Sequence, residues 1–219
     1  MNKVLTSLSA LVVAFVTTVS AQAQEVKGDV FAGEKKNAMC IGCHGINGYH
    51  TGFPEVHKVP KISGQSAKYI VQSLQAYKKG ERKHPSMRGV AETLSEQDMA
   101  DLAAFYSNNG MLRNTPEKAA PGSAKAMELV AKGGCASCHG DSFSKPIDGA
   151  YPKIAGQHSD YLYFALKSYK VEGVQQIGRS NPIMAGIAKQ FSNEELRVLA
   201  EYVGSLPGEL QTVQLSRFR

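Results

Sequence analysis

The sequence predicts an all-α protein made of two tandem copies of one small domain. The first observation is a repeat, because residues 60–65, PKISGQ, return almost unchanged as residues 152–157, PKIAGQ. Other landmarks recur in the same order with loops that differ by a few residues, which is typical of duplicated domains. The second observation is that apolar residues in both halves fall at helical spacing behind helix-start signals. The chain of 219 residues has room for two such domains.

The first 23 residues have the pattern of a secretory signal peptide. Lys3 precedes an apolar run over residues 4–19, and residues 21–23 (AQA) supply a small-residue cleavage site. Because the apolar run is short for a membrane span, we expect cleavage before Gln24 rather than an uncleaved anchor. Loss of Lys3 would lower the formal net charge from +6 to +5. The remaining lysines are dispersed, so a nucleic-acid partner is not expected.

Each half is expected to contain a first, a middle and a last helix. Asp29 and Ser123 are candidate N-caps of the first helices, and the helix after Asp29 is expected to continue into residues 40–44. The middle helices follow the Gly-Gln pairs, where tyrosines and leucines share one helix face. The last helices are predicted to begin at capping boxes that start with Ser95 and Ser192.

A stretch rich in proline and asparagine, residues 108–122, is predicted to be the linker between the halves. We therefore expect an N-terminal domain over residues 24–115 and a C-terminal domain over residues 116–219. The second domain includes a tail after Pro207 that has no clear period and receives no predicted structure.

A five-residue motif, C-x-x-C-H, occurs once in each half and accounts for all four cysteines of the chain: Cys40, Cys43 and His44, then Cys135, Cys138 and His139. Its two thiols can be alkylated by the two vinyl groups of a haem, and its histidine can reach the iron. The motif therefore predicts two covalently bound haem c groups. Covalent attachment of this kind belongs outside the cytoplasm, so together with the leader it indicates the bacterial periplasm.

Two other uses of a C-x-x-C pair remain as alternatives. A redox-active disulfide would normally accompany a βαβ pattern, which the sequence lacks. A zinc site would normally draw its four ligands from closer spacings. Neither alternative accounts for a histidine after both cysteine pairs.

The order of landmarks in each half resembles a class I cytochrome c domain. A helix leads into C-x-x-C-H, and a Pro-x-Ile-x-Gly loop, a middle helix, a Pro-x-Met loop and a closing helix follow. Doubled in one exported chain, with PKIxGQ in both halves, the sequence resembles the di-haem cytochrome c4 family. The resemblance covers nearly all of the chain after the leader. It implies two tandem class I cytochrome c domains, each wrapped around one covalently bound haem.

The resemblance also implies specific residue roles. His44 and His139 would be the proximal iron ligands, with Met87 and Met184 as the distal ligands. The carbonyls of Pro60 and Pro152 would each accept a hydrogen bond from the free N–H of the proximal histidine in the same half. The other histidines of the chain are His84, His50, His57 and His158. Of these spare histidines, His84 is the competing ligand because it lies three residues before Met87. The second half has a longer loop before its methionine, over residues 171–180. The surroundings of Met184 are therefore expected to depart from the family pattern more than those of Met87.

The function that the resemblance implies is that of a periplasmic di-haem electron carrier rather than an enzyme. It would pass single electrons from a respiratory donor complex to an acceptor such as a terminal oxidase. Peripheral association with the membrane is compatible with that role. One alternative is a cytochrome subunit of a periplasmic dehydrogenase complex. Another is a di-haem enzyme of the peroxidase or thiosulfate-oxidising type, which would need an open or unusually ligated iron.

Overall fold

The computed structural model describes residues 26–109 and 117–213. Five helices form the first half: α1 (Val30–Lys36), α2 (Ala38–His44), α3 (Ala67–Lys79), α4 (Pro85–Glu92) and α5 (Glu96–Asn108). Five helices in the same order form the second half: α6 (Ala124–Gly133), α7 (Ala136–His139), α8 (Ser159–Ser168), α9 (Pro182–Ala188) and α10 (Asn193–Ser205). The predicted all-α architecture of two tandem domains is confirmed.

Each half is held together where its last helix packs against the others. In the first half α5 packs against α1 and α3, and in the second half α10 packs against α6 and α8. Gly33 allows the α1–α5 contact, since a Cβ atom there would lie 2.1 Å from the carbonyl oxygen of Asp101. The second half uses a small residue instead, because Ala126 on α6 is only 2% exposed within its core.

The predicted helix starts are present. The Asp29 side chain accepts a hydrogen bond from the Ala32 amide, and the Ser123 hydroxyl accepts one from the Ala126 amide. Complete capping boxes begin at Ser95 and Ser192. These bonds satisfy amides that the first helical turn cannot satisfy itself.

Two predictions about local structure are wrong. The helix after Asp29 does not run unbroken into the cysteine motif, because α1 ends and α2 begins at Asn37. The Pro-x-Met segments are not loops, because Pro85 and Pro182 each begin a short helix. Proline is favoured at the first helical position, where its fixed φ suits the helix and its missing N–H removes no bond. The methionines therefore lie in the first turns of α4 and α9.

Four two-residue strands complete the described secondary structure: β1 (His50–Thr51), β2 (His57–Lys58), β3 (Arg82–Lys83) and β4 (Gly178–Arg179). The antiparallel pair β1–β2 lies within the first half. The antiparallel pair β3–β4 joins the two halves, with Arg82 opposite Arg179. Strands this short have too little alternating pattern to be visible in the sequence.

The chain after α10 returns to the first half. The Gln211 amide donates a hydrogen bond of 3.0 Å to the carbonyl oxygen of Ser63, and its side chain donates one of 2.7 Å to the carbonyl oxygen of Asn109. The described part of the tail, which has no clear sequence period, thus connects the halves.

Three sequence predictions lie outside the described residues. These are the signal peptide over residues 1–23, the middle of the linker over residues 110–116, and the domain boundary between residues 115 and 116. Every helix within residues 26–109 and 117–213 is too short or too polar to cross a bilayer.

Candidate functional site

The first cysteine motif lies on α2, so both thiols and the histidine are presented by one short helix. Cys40 is half-buried and Cys43 is exposed. The Nδ1 atom of His44 lies 2.9 Å from the carbonyl oxygen of Pro60. Because a carbonyl can only accept, Nδ1 carries the hydrogen and Nε2 keeps its lone pair for a metal. Burial lowers the pKa of His44, although the bond to Pro60 acts in the opposite direction.

The second motif repeats this arrangement with a shorter helix. Cys135 precedes α7, Cys138 lies on it, and His139 ends it. The Nδ1 atom of His139 lies 2.9 Å from the carbonyl oxygen of Pro152. Burial also lowers the pKa of His139, against the effect of that bond. Both histidines are therefore held neutral and oriented, which is the state that binds a metal.

A single cavity contains the predicted site residues of both halves. His44 and Met87 line it in the first half, and His139 and Met184 line it in the second. All four cysteines line it as well. Most of the other lining side chains are aliphatic or aromatic, and such a lining suits a large planar apolar cofactor.

Two arginines outside the set of predicted site residues also line this cavity. Arg82 and Arg179 are paired across β3 and β4, and each donates a hydrogen bond to the Tyr161 hydroxyl, at 2.7 Å and 3.1 Å. Neither guanidinium forms a salt bridge within the described part of the chain, and the Nε atom of Arg82 is buried without a hydrogen-bond partner. Two neighbouring cations without an acidic partner are suited to bind an anionic group.

The charge of these arginines affects the pKa of Tyr161, whose hydroxyl accepts a hydrogen bond from both. Burial alone would raise the pKa of Tyr161, but the guanidiniums of Arg82 and Arg179 outweigh it and lower that pKa to about 8. A signal for the pair was present in the sequence. Each arginine lies five residues before the predicted methionine of its half.

The residues present fit two haem groups. The apolar walls would contact the macrocycles, the cysteines could form the thioethers, and the arginines could bind propionates. The zinc alternative gains no support, since no three His, Cys, Asp or Glu side chains in the described residues form a metal-binding group. Burial also raises the pKa of the Cys40 thiol to about 11, whereas zinc binds thiolates. The described cysteines form no disulfide.

The remaining histidines occupy different positions. His84 is the N-cap of α4 and lines the cavity, and its Nδ1 atom is buried without a hydrogen-bond partner. His57 stacks on Phe164 of the other half, with the ring centroids 4.2 Å apart. His50 is exposed on β1, and His158 is the N-cap of α8. His50 and His57 also line the cavity, but His84 is the histidine that lies three residues before Met87.

Known proteins share the sequence pattern of this chain. A sequence profile of the cytochrome c family matches residues 32–109 and 123–207. Cytochrome c4 of Stutzerimonas stutzeri is 32% identical in an alignment of 223 positions that covers 94% of this chain and 100% of that protein. The chain belongs to the cytochrome c4 family.

Membership of the cytochrome c4 family is also visible in the fold. The crystal structure of reduced recombinant cytochrome c4 from Pseudomonas stutzeri matches with a TM-score of 0.63 and 30% identity, covering 82% of this chain and 100% of that one. The chain is accordingly a di-haem electron carrier with two covalently bound haem c groups. A protein named thiosulfate dehydrogenase electron acceptor, from Stutzerimonas stutzeri strain A1501, is 28% identical over 90% of this chain and 93% of its own.

In this member of the cytochrome c4 family, polar contacts join the two halves beside the cavity that both candidate sites line. The repeated segments, residues 60–65 and 152–157, meet there through hydrogen bonds between Gln65 and Lys153 and between Gln157 and Lys61. Ion pairs join Lys68 to Asp148 at 2.9 Å and Lys167 to Glu55 at 2.6 Å. The repeat is evident in the sequence, but the role of its glutamines is visible only in the structure.

Proposed function

We propose that each half attaches one haem through its own cysteine pair and holds the iron between a histidine and a methionine. Cys40 and Cys43 would form the thioethers in the first half, with His44 and Met87 as ligands. Cys135 and Cys138 would do so in the second half, with His139 and Met184 as ligands. The observation that carries this assignment is that both sets line one cavity, with each histidine fixed by a proline carbonyl.

Haem iron supplies reversible transfer of one electron when it is bound in this way. The chain supplies the rest. The proline carbonyls fix the imidazole rings, the helices α4 and α9 hold the methionines, and the apolar walls exclude water. Rigid ligands in a dry pocket keep reorganisation small, which favours rapid electron transfer. We propose that the protein does this in the bacterial periplasm, as the predicted leader indicates.

We also propose that the protein is a carrier and not an enzyme. A methionine tethered to its helix competes for the iron at a high effective concentration, whereas a small molecule must come from solution. The fully reduced protein should therefore bind carbon monoxide slowly and show only trace peroxidase turnover. Rapid stoichiometric binding of carbon monoxide at one haem would contradict this, and the second half, with its longer loop before Met184, is the place to look first.

The partners of such a carrier are redox proteins. We propose a respiratory donor complex and a terminal oxidase as donor and acceptor. A second candidate donor is a periplasmic thiosulfate dehydrogenase, because a relative of 28% identity is named as the electron acceptor of that enzyme. Mixing the oxidised protein with thiosulfate and such an enzyme distinguishes the two candidate donors. Rapid reduction of the haems would support the thiosulfate dehydrogenase as donor, and slow reduction would support the respiratory complex.

The ligand assignment is tested by replacing each methionine. Met87→Ala and Met184→Ala should each remove about half of the long-wavelength sulfur-to-iron absorption band and lower one reduction potential. Met127→Ala is the matched control, because Met127 is 39% exposed and does not line the cavity. Mass spectrometry of each variant should still give the chain plus two haems. If Met87→Ala leaves the band intact and His84→Ala changes the spectrum, the first haem has two histidine ligands.

A further inference from the structure

The repeated segments contact each other through a crossed pair of glutamines. Gln157 donates to the carbonyl oxygen of Lys61 at 2.8 Å and accepts from the Lys61 amide at 3.0 Å. Gln65 does the same to Lys153, at 2.9 Å for both bonds. Both glutamines are buried, each being 5% exposed. Each half therefore satisfies a backbone donor and acceptor of the other half.

The peptide group that each glutamine contacts also binds a haem-site histidine. The peptide between Pro60 and Lys61 accepts from His44 through its oxygen and donates to Gln157 through its nitrogen. The peptide between Pro152 and Lys153 accepts from His139 and donates to Gln65. Two hydrogen-bond chains thus cross the interface, and each connects a histidine of one half to a glutamine of the other.

Hydrogen bonds in such a chain strengthen one another when water is excluded. A peptide whose N–H donates to an acceptor places more negative charge on its carbonyl oxygen. That oxygen then accepts more strongly from the imidazole N–H, which makes the histidine a more basic ligand. A more basic ligand favours ferric over ferrous iron and lowers the reduction potential.

We propose that Gln65 and Gln157 are positioning residues that tune the haem of the opposite half, so that each reduction potential depends on the docking of the other half. The proposal rests on the proposed roles of His44 and His139 as iron ligands. It differs from a purely structural role, in which the glutamines would only hold the halves together.

The test uses the full two-haem protein with Gln157→Met and Gln65→Met, which keep side-chain length and remove both hydrogen bonds to the other half. Each substitution also removes the local bond that the side-chain oxygen accepts from the next amide, that of His158 or Ser66. Gln157→Met should raise the reduction potential of the haem bound through His44. At a fixed applied potential, the ratio of reduced to oxidised iron at that haem should then be several-fold higher. Gln65→Met should raise the potential of the haem bound through His139. The two haems are distinguished by proton NMR, with haem resonances assigned through the backbone of residues 40–44 and 135–139.

A second readout does not depend on the potential. In the reduced, diamagnetic protein, the Nδ1 proton resonance of His44 should move upfield in Gln157→Met, because a weaker hydrogen bond deshields the proton less. The corresponding resonance of His139 should stay in place. Gln65→Met should give the reverse pattern.

Gln211→Met is the matched control. Gln211 also crosses between the halves, donating to the Asn109 carbonyl at 2.7 Å, but it contacts no peptide that binds a haem-site histidine. It should leave both potentials and both resonances unchanged. The proposal is overturned if Gln211→Met shifts them equally, if each glutamine affects only the haem of its own half, or if neither glutamine has an effect.

Failure of this inference can be told apart from failure of the ligand assignment. If the protein carries two haems but His44→Ala leaves the low-spin spectrum unchanged, the assignment itself fails. If His44→Ala disrupts one haem while Gln157→Met changes neither potential nor resonance, only the crossed tuning fails.

Discussion

At the scale of single residues, Arg82 is one of the two arginines that line the cavity. Arg82→Gln removes a cation that lies beside the predicted haem sites without removing the side-chain polarity. Loss of a positive charge favours ferric iron, by about 1–2 kcal/mol at a separation near 10 Å and an effective dielectric constant of about 20. We therefore expect at least one reduction potential to fall, as measured by potentiometric titration.

The control for this prediction is Arg197→Gln. Arg82 lies over the Tyr77 ring, 4.6 Å from its centroid. Arg197 is an exposed arginine that lies over the Tyr163 ring, 4.2 Å from its centroid, and it does not line the cavity. Its loss should change the potentials much less, because exposed charges are screened by water and salt. Equal effects of the two substitutions would mean that Arg82 does not face the cofactor.

Single residues were predictable from the sequence where their role is local. The caps at Asp29 and Ser95 and the cysteine motifs depend on neighbours within a few positions, and fixed spacings indicate them. Arg82 and Gln65 act across the contact between the halves. A repeat shows that such residues recur, but it does not show which residue of the other half each one meets.

At the scale of secondary-structure elements, the crossing of α1 and α5 depends on the missing side chain of Gly33. Gly33→Ala should destabilise the protein by about 1–3 kcal/mol, because the added Cβ atom would meet backbone rather than a movable side chain. Denaturant unfolding of the two-haem protein measures the effect. Since the crossing lies away from the ligands, the spectrum of the folded state should not change.

Gly89→Ala is the matched substitution, and it is expected to stabilise the protein rather than destabilise it. Gly89 lies within α4, and a Cβ atom there would meet no other atom within 4 Å. Alanine in an open helical position should stabilise the protein by about 0.5–1 kcal/mol. If both substitutions destabilise equally, close packing is not what makes Gly33 necessary.

The elements themselves were largely predictable, because the first and last helices of each half have capping residues and the middle helices have an apolar face. The positions where helices break or end were not predictable. The ends of the first helices depend on backbone conformation at single residues, such as Gly134 with φ of +58° after α6. The short helices that carry Met87 and Met184 contain too few residues to show a period of 3.6.

At the scale of the whole molecule, the halves should stay docked when salt is raised. The ion pairs Lys58–Asp160, Lys68–Asp148 and Lys167–Glu55 join partly exposed groups, so each contributes little and is screened. The buried glutamine bonds and the His57–Phe164 stack are not screened. Small-angle scattering should give the same radius of gyration in 0.1 M and 1 M salt, conditions that span Debye lengths of about 10 Å and about 3 Å.

The variant with both Gln65→Met and Gln157→Met provides the comparison. It loses the four crossed bonds and keeps the ion pairs, so salt should loosen its docking and speed amide exchange at Lys61 and Lys153. An unmodified protein that expands in 1 M salt would mean that the ion pairs hold the halves together. The duplication was predictable from the sequence, but this division between buried and exposed contacts depends on which residues face each other.

The crossed glutamine contact also bears on how a two-domain protein of this kind could arise. The same two positions of the repeated segment meet on both sides, a glutamine of one copy on a lysine backbone of the other. That is the geometry of an isologous dimer, in which one patch is complementary to itself about a twofold axis. A single domain with the PKIxGQ segment would already possess both sides of the contact. Joining two copies of such a domain would then require a linker and no new complementary surface.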